Sequence, residues 1–221
     1  MIRIHVICEG QTEEMFVNEV LAESFVTQGI YLQPSLIGKP GQKGGNFRFE
    51  RLLIDIRARL LGDPTAYCTT FFDFYGLPAN FPGKQEAMCH SHNTDKAHCI
   101  SDAMNLRLQS ILGSEAMRRF IPYVQMYEFE GLLFSDTKAL AQSINQPVLI
   151  ASLQAIRAAF ASPEMINDSP ETAPSKRLLA LFAGYDKPFH GSLAALEIGL
   201  DNIRQECPLF NAWLNRLAQL Q

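Results

Sequence analysis

The stretch Ile2-Arg3-Ile4-His5-Val6-Ile7-Cys8-Glu9-Gly10-Gln11-Thr12-Glu13-Glu14-Met15-Phe16 constrains the fold more than any other. Its first residues alternate and then run apolar, as a largely buried strand does. The run stops at the carboxylate of Glu9 and turns at Gly10. Apolar residues then resume at helical spacing, with Met15, Phe16, Val20, Leu21 and Phe25 on one side. Thr12 is placed to cap that helix, and Glu13 and Glu14 suit the positive end of its dipole. In an open α/β sheet, ligands bind beyond the carboxyl ends of the strands. Glu9 and Glu13 therefore sit at an expected binding edge.

The same alternation continues. Gly29 stops the first helix. Residues 31–37 read as a second, shorter strand, which Pro34 assigns to an edge. Residues 38–46 form a loop by composition. With Arg48 and Arg51 behind it, that loop offers backbone donors and positive charge. It is not a P-loop, because Pro40 follows Lys39 where Ser or Thr would stand. A helix carrying Phe49, Leu52, Leu53, Ile56 and Leu60 comes next. Residues 66–72 are a third strand, running into Asp73, and residues 79–93 read as a loop. Thr94 is a candidate cap for a helix carrying Ala97, Ile100, Met104, Leu108 and Ile111. Residues 120–126 are a fourth strand, running into Glu128 and Glu130. This order predicts an α/β core over residues 1–135, a parallel sheet of about four strands with flanking helices. Beyond it the spacing is helical, at 149–160, 176–182, 193–204 and 208–220. Residues 136–221 are expected to form an α-helical C-terminal half, a subdomain packed on the core.

Composition narrows the partners. A chain of 221 residues that is 47% hydrophobic can bury a full core. Its net charge of -4 gives no global support for nucleic-acid binding, so any phosphate-binding surface must be local. Five cysteines are an odd number at irregular spacing, and Cys8 and Cys68 sit in apolar runs. A reduced, cytoplasmic protein is expected. There is no apolar signal core at the start and no run of transmembrane length, so no membrane association is expected. Oligomeric state is open.

Three of the four predicted strands end in carboxylates: Glu9, Asp73, and Glu128 with Glu130. Glu13 adds another from the first helical turn. Carboxylates brought together repel unless a cation or a shared proton intervenes. A hard divalent cation, Mg or Mn, is the economical answer, and such ions position phosphates and stabilise charge in phosphoryl transfer. Cys89-His90-Ser91-His92 with His98-Cys99 has zinc-ligand chemistry. Adjacent side chains diverge, however, so no zinc is expected and a surface loop entering a helix is preferred. Ser175, Lys176, Arg177, Lys187 and His190 are polar groups at turns and helix starts. Among them Lys176 is a candidate to neutralise a phosphate, and His190 to carry a proton. Trp213 with Phe210 and Leu214 reads as packing.

Glu9-Gly10-Gln11-Thr12-Glu13 after a strand resembles the first motif of Toprim domains, the fold of topoisomerases, primases and certain nucleases. Asp73-Phe74-Tyr75-Gly76 stands where that fold has Asp-x-Asp, with Tyr75 in place of the second aspartate. Glu128 and Glu130 are candidates to replace it. A longer resemblance runs through Glu9-Gly10-Gln11-Thr12-Glu13-Glu14, Asp73-Phe74-Tyr75-Gly76-Leu77-Pro78 and Glu128-Phe129-Glu130-Gly131-Leu132-Leu133-Phe134-Ser135-Asp136. It continues in Pro174-Ser175-Lys176-Arg177 and Tyr185-Asp186-Lys187-Pro188-Phe189-His190-Gly191. These motifs are similar to those of domain of unknown function 4276, a Toprim-like bacterial family often encoded beside an ABC-type ATPase in phage-defence islands. The resemblance implies a Mg- or Mn-dependent Toprim-like nuclease that hydrolyses phosphodiesters, with nucleic acid and that ATPase as partners. Glu9, Glu13, Asp73, Lys176 and His190 would be catalytic. Glu9, Glu13, Asp73, Glu128 and Glu130 would hold metal. The alternatives are a non-catalytic partner or effector of the ATPase, and a small-molecule phosphotransfer enzyme.

Overall fold

A computed structural model describes residues 1–38, 48–167 and 169–220. Five strands form one all-parallel sheet: β1 Ile2–Cys8, β2 Ile30–Leu36, β3 Tyr67–Asp73, β4 Phe120–Ile121 and β5 Val124–Gln125. Their order is β2-β1-β3-β4, and β5 continues the pairing with β3. In register, Cys8 lies opposite Leu36 on one side and Phe71 on the other, and Asp73 lies opposite Gln125. The carboxyl ends of β1 and β3 thus finish together, as predicted. Pro34, which has no N–H to donate, lies in the edge strand β2.

The expected fourth strand is interrupted. Pro122 breaks the ladder between β4 and β5, and a side chain bridges the gap. Thr70 Oγ1 accepts the Tyr123 N–H at 3.0 Å and donates to the Tyr123 carbonyl at 2.8 Å.

The two faces of the sheet bury different helices. Ile7, Cys68 and Phe72 pack with Leu52, Ile56 and Leu60 of the Phe49–Gly62 helix and with Ile100, Met104 and Leu108 of the Asn93–Leu112 helix. Ile4, Val6, Cys8 and Phe71 pack with Phe16, Val17 and Leu21. The same cluster takes in Leu140, Leu153, Ala194, Phe210 and Leu214 from the C-terminal half. Trp213 is part of that packing: its ring stacks on Tyr123 at 4.3 Å and 7°. It also has a polar tie, because Nε1 donates to Thr69 Oγ1 at 2.9 Å. No strand follows β5 among the described residues.

Three local expectations change. The first helix, Gln11–Phe16, is capped by Gly10 rather than Thr12, because Glu13 reaches back and Oε2 accepts the Gly10 N–H at 2.8 Å. A short helix, Lys84–Met88, lies inside the expected 79–93 loop, and the helix after it starts behind His92 rather than Thr94. The helix expected at 193–204 is two helices, Lys187–Ile198 and Leu200–Glu206, divided by Gly199 at φ 79°. The first of these begins early because Asp186 caps it, accepting the Phe189 N–H at 2.9 Å, with Pro188 in its first turn. Among the described residues no helix is long and apolar enough to cross a membrane.

Candidate functional site

The carboxylates converge through backbone hydrogen bonds. Leaving β1, Glu9 donates its N–H to the Phe71 carbonyl at 3.1 Å. Its side chain then crosses to β3, where Oε2 accepts the Asp73 N–H at 2.9 Å. Gly76 makes room for it: a Cβ there would overlap the Glu9 carboxylate. Asp73 Oδ1 in turn accepts the Phe129 N–H at 2.7 Å, tying the end of β3 to the segment after β5. Glu128 Oε2 accepts the Ser175 N–H at 2.8 Å, from the first turn of the Pro174–Leu181 helix. Glu9, Glu13, Asp73 and Glu128 are each held through at least one oxygen by a main-chain donor.

Glu130 is different. It is 0% exposed, and among the described residues it is ion-paired with Lys187, whose Nζ lies 2.9 Å from Oε2. Oε1 has no hydrogen-bond partner among the described residues, and neither do the buried Tyr185 hydroxyl and Ser192 Oγ. Lys187 reaches this position from the first residue of its helix. Side chains there lean back toward the helix N-terminus. Gly191, one turn on, lets the helix approach: a Cβ at Gly191 would touch the Tyr185 hydroxyl at 3.3 Å, Thr12 at 3.4 Å and Phe129 at 3.5 Å.

The electrostatics follow from burial and crowding. Burial raises the Glu9 carboxyl, and the charges of Glu128 and Glu130 add to the rise against the Asp73 N–H and Lys187. Burial and the Glu9 charge push Glu13 up to about 7. Burial, with Glu13 and Glu9 beside it, holds Asp73 well above the carboxylate range. Burial pushes Glu130 up to about 7 even with Lys187 against it. Burial opposes the Lys187 charge, but Glu130, Asp73 and Glu128 overcome it and hold the ammonium above its ordinary range. The acids after β1, in the first helix, at the end of β3 and in the post-β5 segment thus share one electrostatic environment, with the Lys187 ammonium paired to Glu130 and the Lys84 ammonium acting on Glu9.

The remaining candidates lie elsewhere. Tyr75, two residues after Asp73, donates its hydroxyl to Asn167 Oδ1 and packs its ring 5.4 Å from Tyr127. Lys176 is exposed, one residue from the Ser175 N–H that holds Glu128. His190 accepts the Asp186 N–H at Nδ1, 2.8 Å away, and its ring sits among Phe182, Tyr185 and Phe189. The Cys89 and Cys99 thiols meet backbone carbonyls of Gln85 and Gly83. The loop at 39–46 lies outside the described residues. Among the described residues, no three His, Cys, Asp or Glu side chains form a ready-made metal-holding group.

Sequence reasoning passed over Tyr185, and it named Lys187 only as one of several polar groups at helix starts, without pairing it to the acids. Lys187 stood in the motif with His190, and the reading of the sequence favoured His190 for its proton chemistry. The Asp186 cap with Pro188 in the first turn was the available signal, because it fixes Lys187 as the first helical residue. Lys84, also passed over, is buried beside Phe74 with its Nζ 3.2 Å from the ring centroid, donating to the Phe74 carbonyl. Burial lowers its ammonium to about 8.

No curated protein and no solved structure matches this chain. A family model described as Domain of unknown function (DUF4276) matches residues 8–218, a span that contains every acid of the cluster, and the chain belongs to that family.

Proposed function

We propose that the acid cluster binds a divalent cation, Mg or Mn, and that the protein is a Toprim-like nuclease hydrolysing phosphodiesters. One observation carries this reading: five carboxylates, four of them fixed in place by main-chain donors, share one electrostatic environment, and among the described residues only Lys187 makes an ion pair with any of them. Such an arrangement gains free energy when a cation enters, because the acids then ionise without mutual repulsion. The donors are all hard oxygens, which suits Mg and Mn and not zinc. Mg commonly keeps several waters and takes only one or two carboxylates, with substrate phosphates completing its shell. A site without three converged protein ligands therefore fits it. When bound, the cation would activate water or offset charge on the phosphate oxygens. Glu9 and Asp73, joined by the 2.9 Å bond from the Asp73 N–H, are the first candidates to hold it, with Glu13, Glu128 and Glu130 as their electrostatic neighbours. Lys187 would offset charge on the phosphate, a role the sequence alone assigned to Lys176.

The test is titration with Mn followed by cleavage of DNA and RNA substrates, with and without an ABC-type ATPase partner. The expected result is millimolar or tighter Mn binding, and cleavage lost in Glu9→Gln. Undiminished cleavage in that variant would overturn the mechanism. A second reading rests on the same hydrogen bonds: the acids serve only to lock the strand ends, and the protein is a non-catalytic partner or effector of the ATPase. Absence of Mg and Mn binding at millimolar concentration would favour it. A small-molecule phosphotransfer enzyme would instead turn over nucleotides and leave polynucleotides intact.

A further inference from the structure

We propose that a second site, a basic cleft beside the acid cluster, binds the phosphate backbone of a polynucleotide. The cleft has a volume of about 510 Å³ and lies between the start of the Phe49–Gly62 helix and the Asn93–Leu112 helix. Arg48, which caps the Phe49–Gly62 helix, lines it with Phe49 and Glu50 of that helix's first turn, Arg107 lines it from the Asn93–Leu112 helix, and Pro78 and Asn80 from the segment that leaves β3.

Its charge sets it apart from the rest of the molecule. The chain carries a net -4, whereas this wall carries two guanidiniums against one carboxylate. Among the described residues neither Arg48 nor Arg107 is ion-paired. Arg107 is also held in place, its guanidinium carbon 5.1 Å from the centroid of the Phe49 ring. A guanidinium stacked in this way keeps its N–H edges free and loses less freedom on binding, and its planar fork matches phosphate oxygens. Phe49 is only 6% exposed, so its ring offers no open face to a base. The contacts available are to backbone phosphate rather than to base edges.

Position argues for a polynucleotide over an isolated phosphate. Gly76 abuts the Glu9 carboxylate, and Pro78, two residues on, stands in the cleft wall. Two residues of chain span at most about 7 Å. A strand with a phosphate at the acids would therefore bring further phosphates to Arg48 and Arg107. This last step rests on the phosphodiester reading of the acid cluster, whereas the binding itself needs no metal.

The experiment is fluorescence anisotropy of a labelled single-stranded oligonucleotide in EDTA, over a range of salt. Arg48→Ala with Arg107→Ala should weaken binding at least tenfold and reduce the log-log salt slope by about 1.4, two contacts at about 0.7 each. Glu50→Gln, which removes the cleft's carboxylate, should tighten binding a few-fold, a gain that misfolding cannot imitate. Unchanged binding in both variants would overturn the proposal, as would equal displacement of the oligonucleotide by a mononucleotide at matched phosphate concentration. Mn titration of the double-alanine variant separates the two readings: the cleft predicts metal binding unchanged there, whatever the acid cluster does in cleavage.

Discussion

Glu130 and Glu164 are 0% and 2% exposed, and burial pushes both carboxyls up to about 7. Their surroundings separate them. Around Glu164 each oxygen has a donor: Oε2 accepts the Leu209 N–H at 2.9 Å and Oε1 the Phe210 N–H at 2.8 Å. These are free N–H groups in the first turn of the Pro208–Ala218 helix, so Glu164 acts as that helix's cap from a distant segment. Around Glu130 one oxygen faces Lys187, the other has no partner among the described residues, and four further carboxylates stand in the same cluster. A raised carboxyl alone therefore reports burial. The accounting of hydrogen bonds tells a structural acid from one kept for a ligand.

The largest expected effect is on stability against pH. Glu13, Glu130 and Glu164 all sit near 7 in the folded chain, against about 4.5 unfolded. The folded form therefore holds these protons more tightly. The stability they contribute is complete below about 4.5 and is lost as the pH rises through 7. At 1.36 kcal/mol per pKa unit, each group contributes about 3 kcal/mol at most. Thermal melts should fall from pH 5 to pH 8, and Glu130→Gln and Glu164→Gln should each flatten the fall. Millimolar Mg should restore stability at pH 8 in the Glu164→Gln protein and far less in Glu130→Gln. Equal restoration in both would erase the contrast between the two acids.

Lys187→Met comes next. It strands a fully buried Glu130, and breaking a buried pair typically costs about 3–5 kcal/mol. The Lys187 side chain is 42% exposed, so about 2 kcal/mol at pH 8 is expected from urea unfolding. At pH 5 Glu130 is protonated and the loss should nearly vanish; an equal loss at both pH values would show that Lys187 contributes packing and not charge. Smaller still is Glu164→Ala, about 1–2 kcal/mol for two uncapped N–H groups. Its Mn affinity should be unchanged, and a fall would bring Glu164 into the site.

Much of this was legible in the sequence because it depends on local pattern. Period-2 and apolar runs located β1, β2 and β3, Pro34 marked the edge, and the acids ending β1 and β3 came out side by side because parallel strands finish at one edge. The motif spacing identified the family. What was hidden depends on tertiary company. The split at Pro122 needed Thr70 as its bridge, and Glu164, in a segment with no motif, reaches a helix 45 residues away. Lys187 and His190 share one motif, and only the direction of the helix sends Lys187 to the acids.

The hydrogen bond from Trp213 to Thr69 closes a separation of 144 residues across the middle of the sheet. Folding speed falls as such distant contacts accumulate, because each closes a large loop before any packing rewards it. The sheet's central strand is thus sealed on this face only when the Pro208–Ala218 helix docks, whenever in the folding sequence that occurs. Trp213 is the chain's sole tryptophan. Its emission in a stopped-flow experiment therefore carries a clock for that docking, with no label needed.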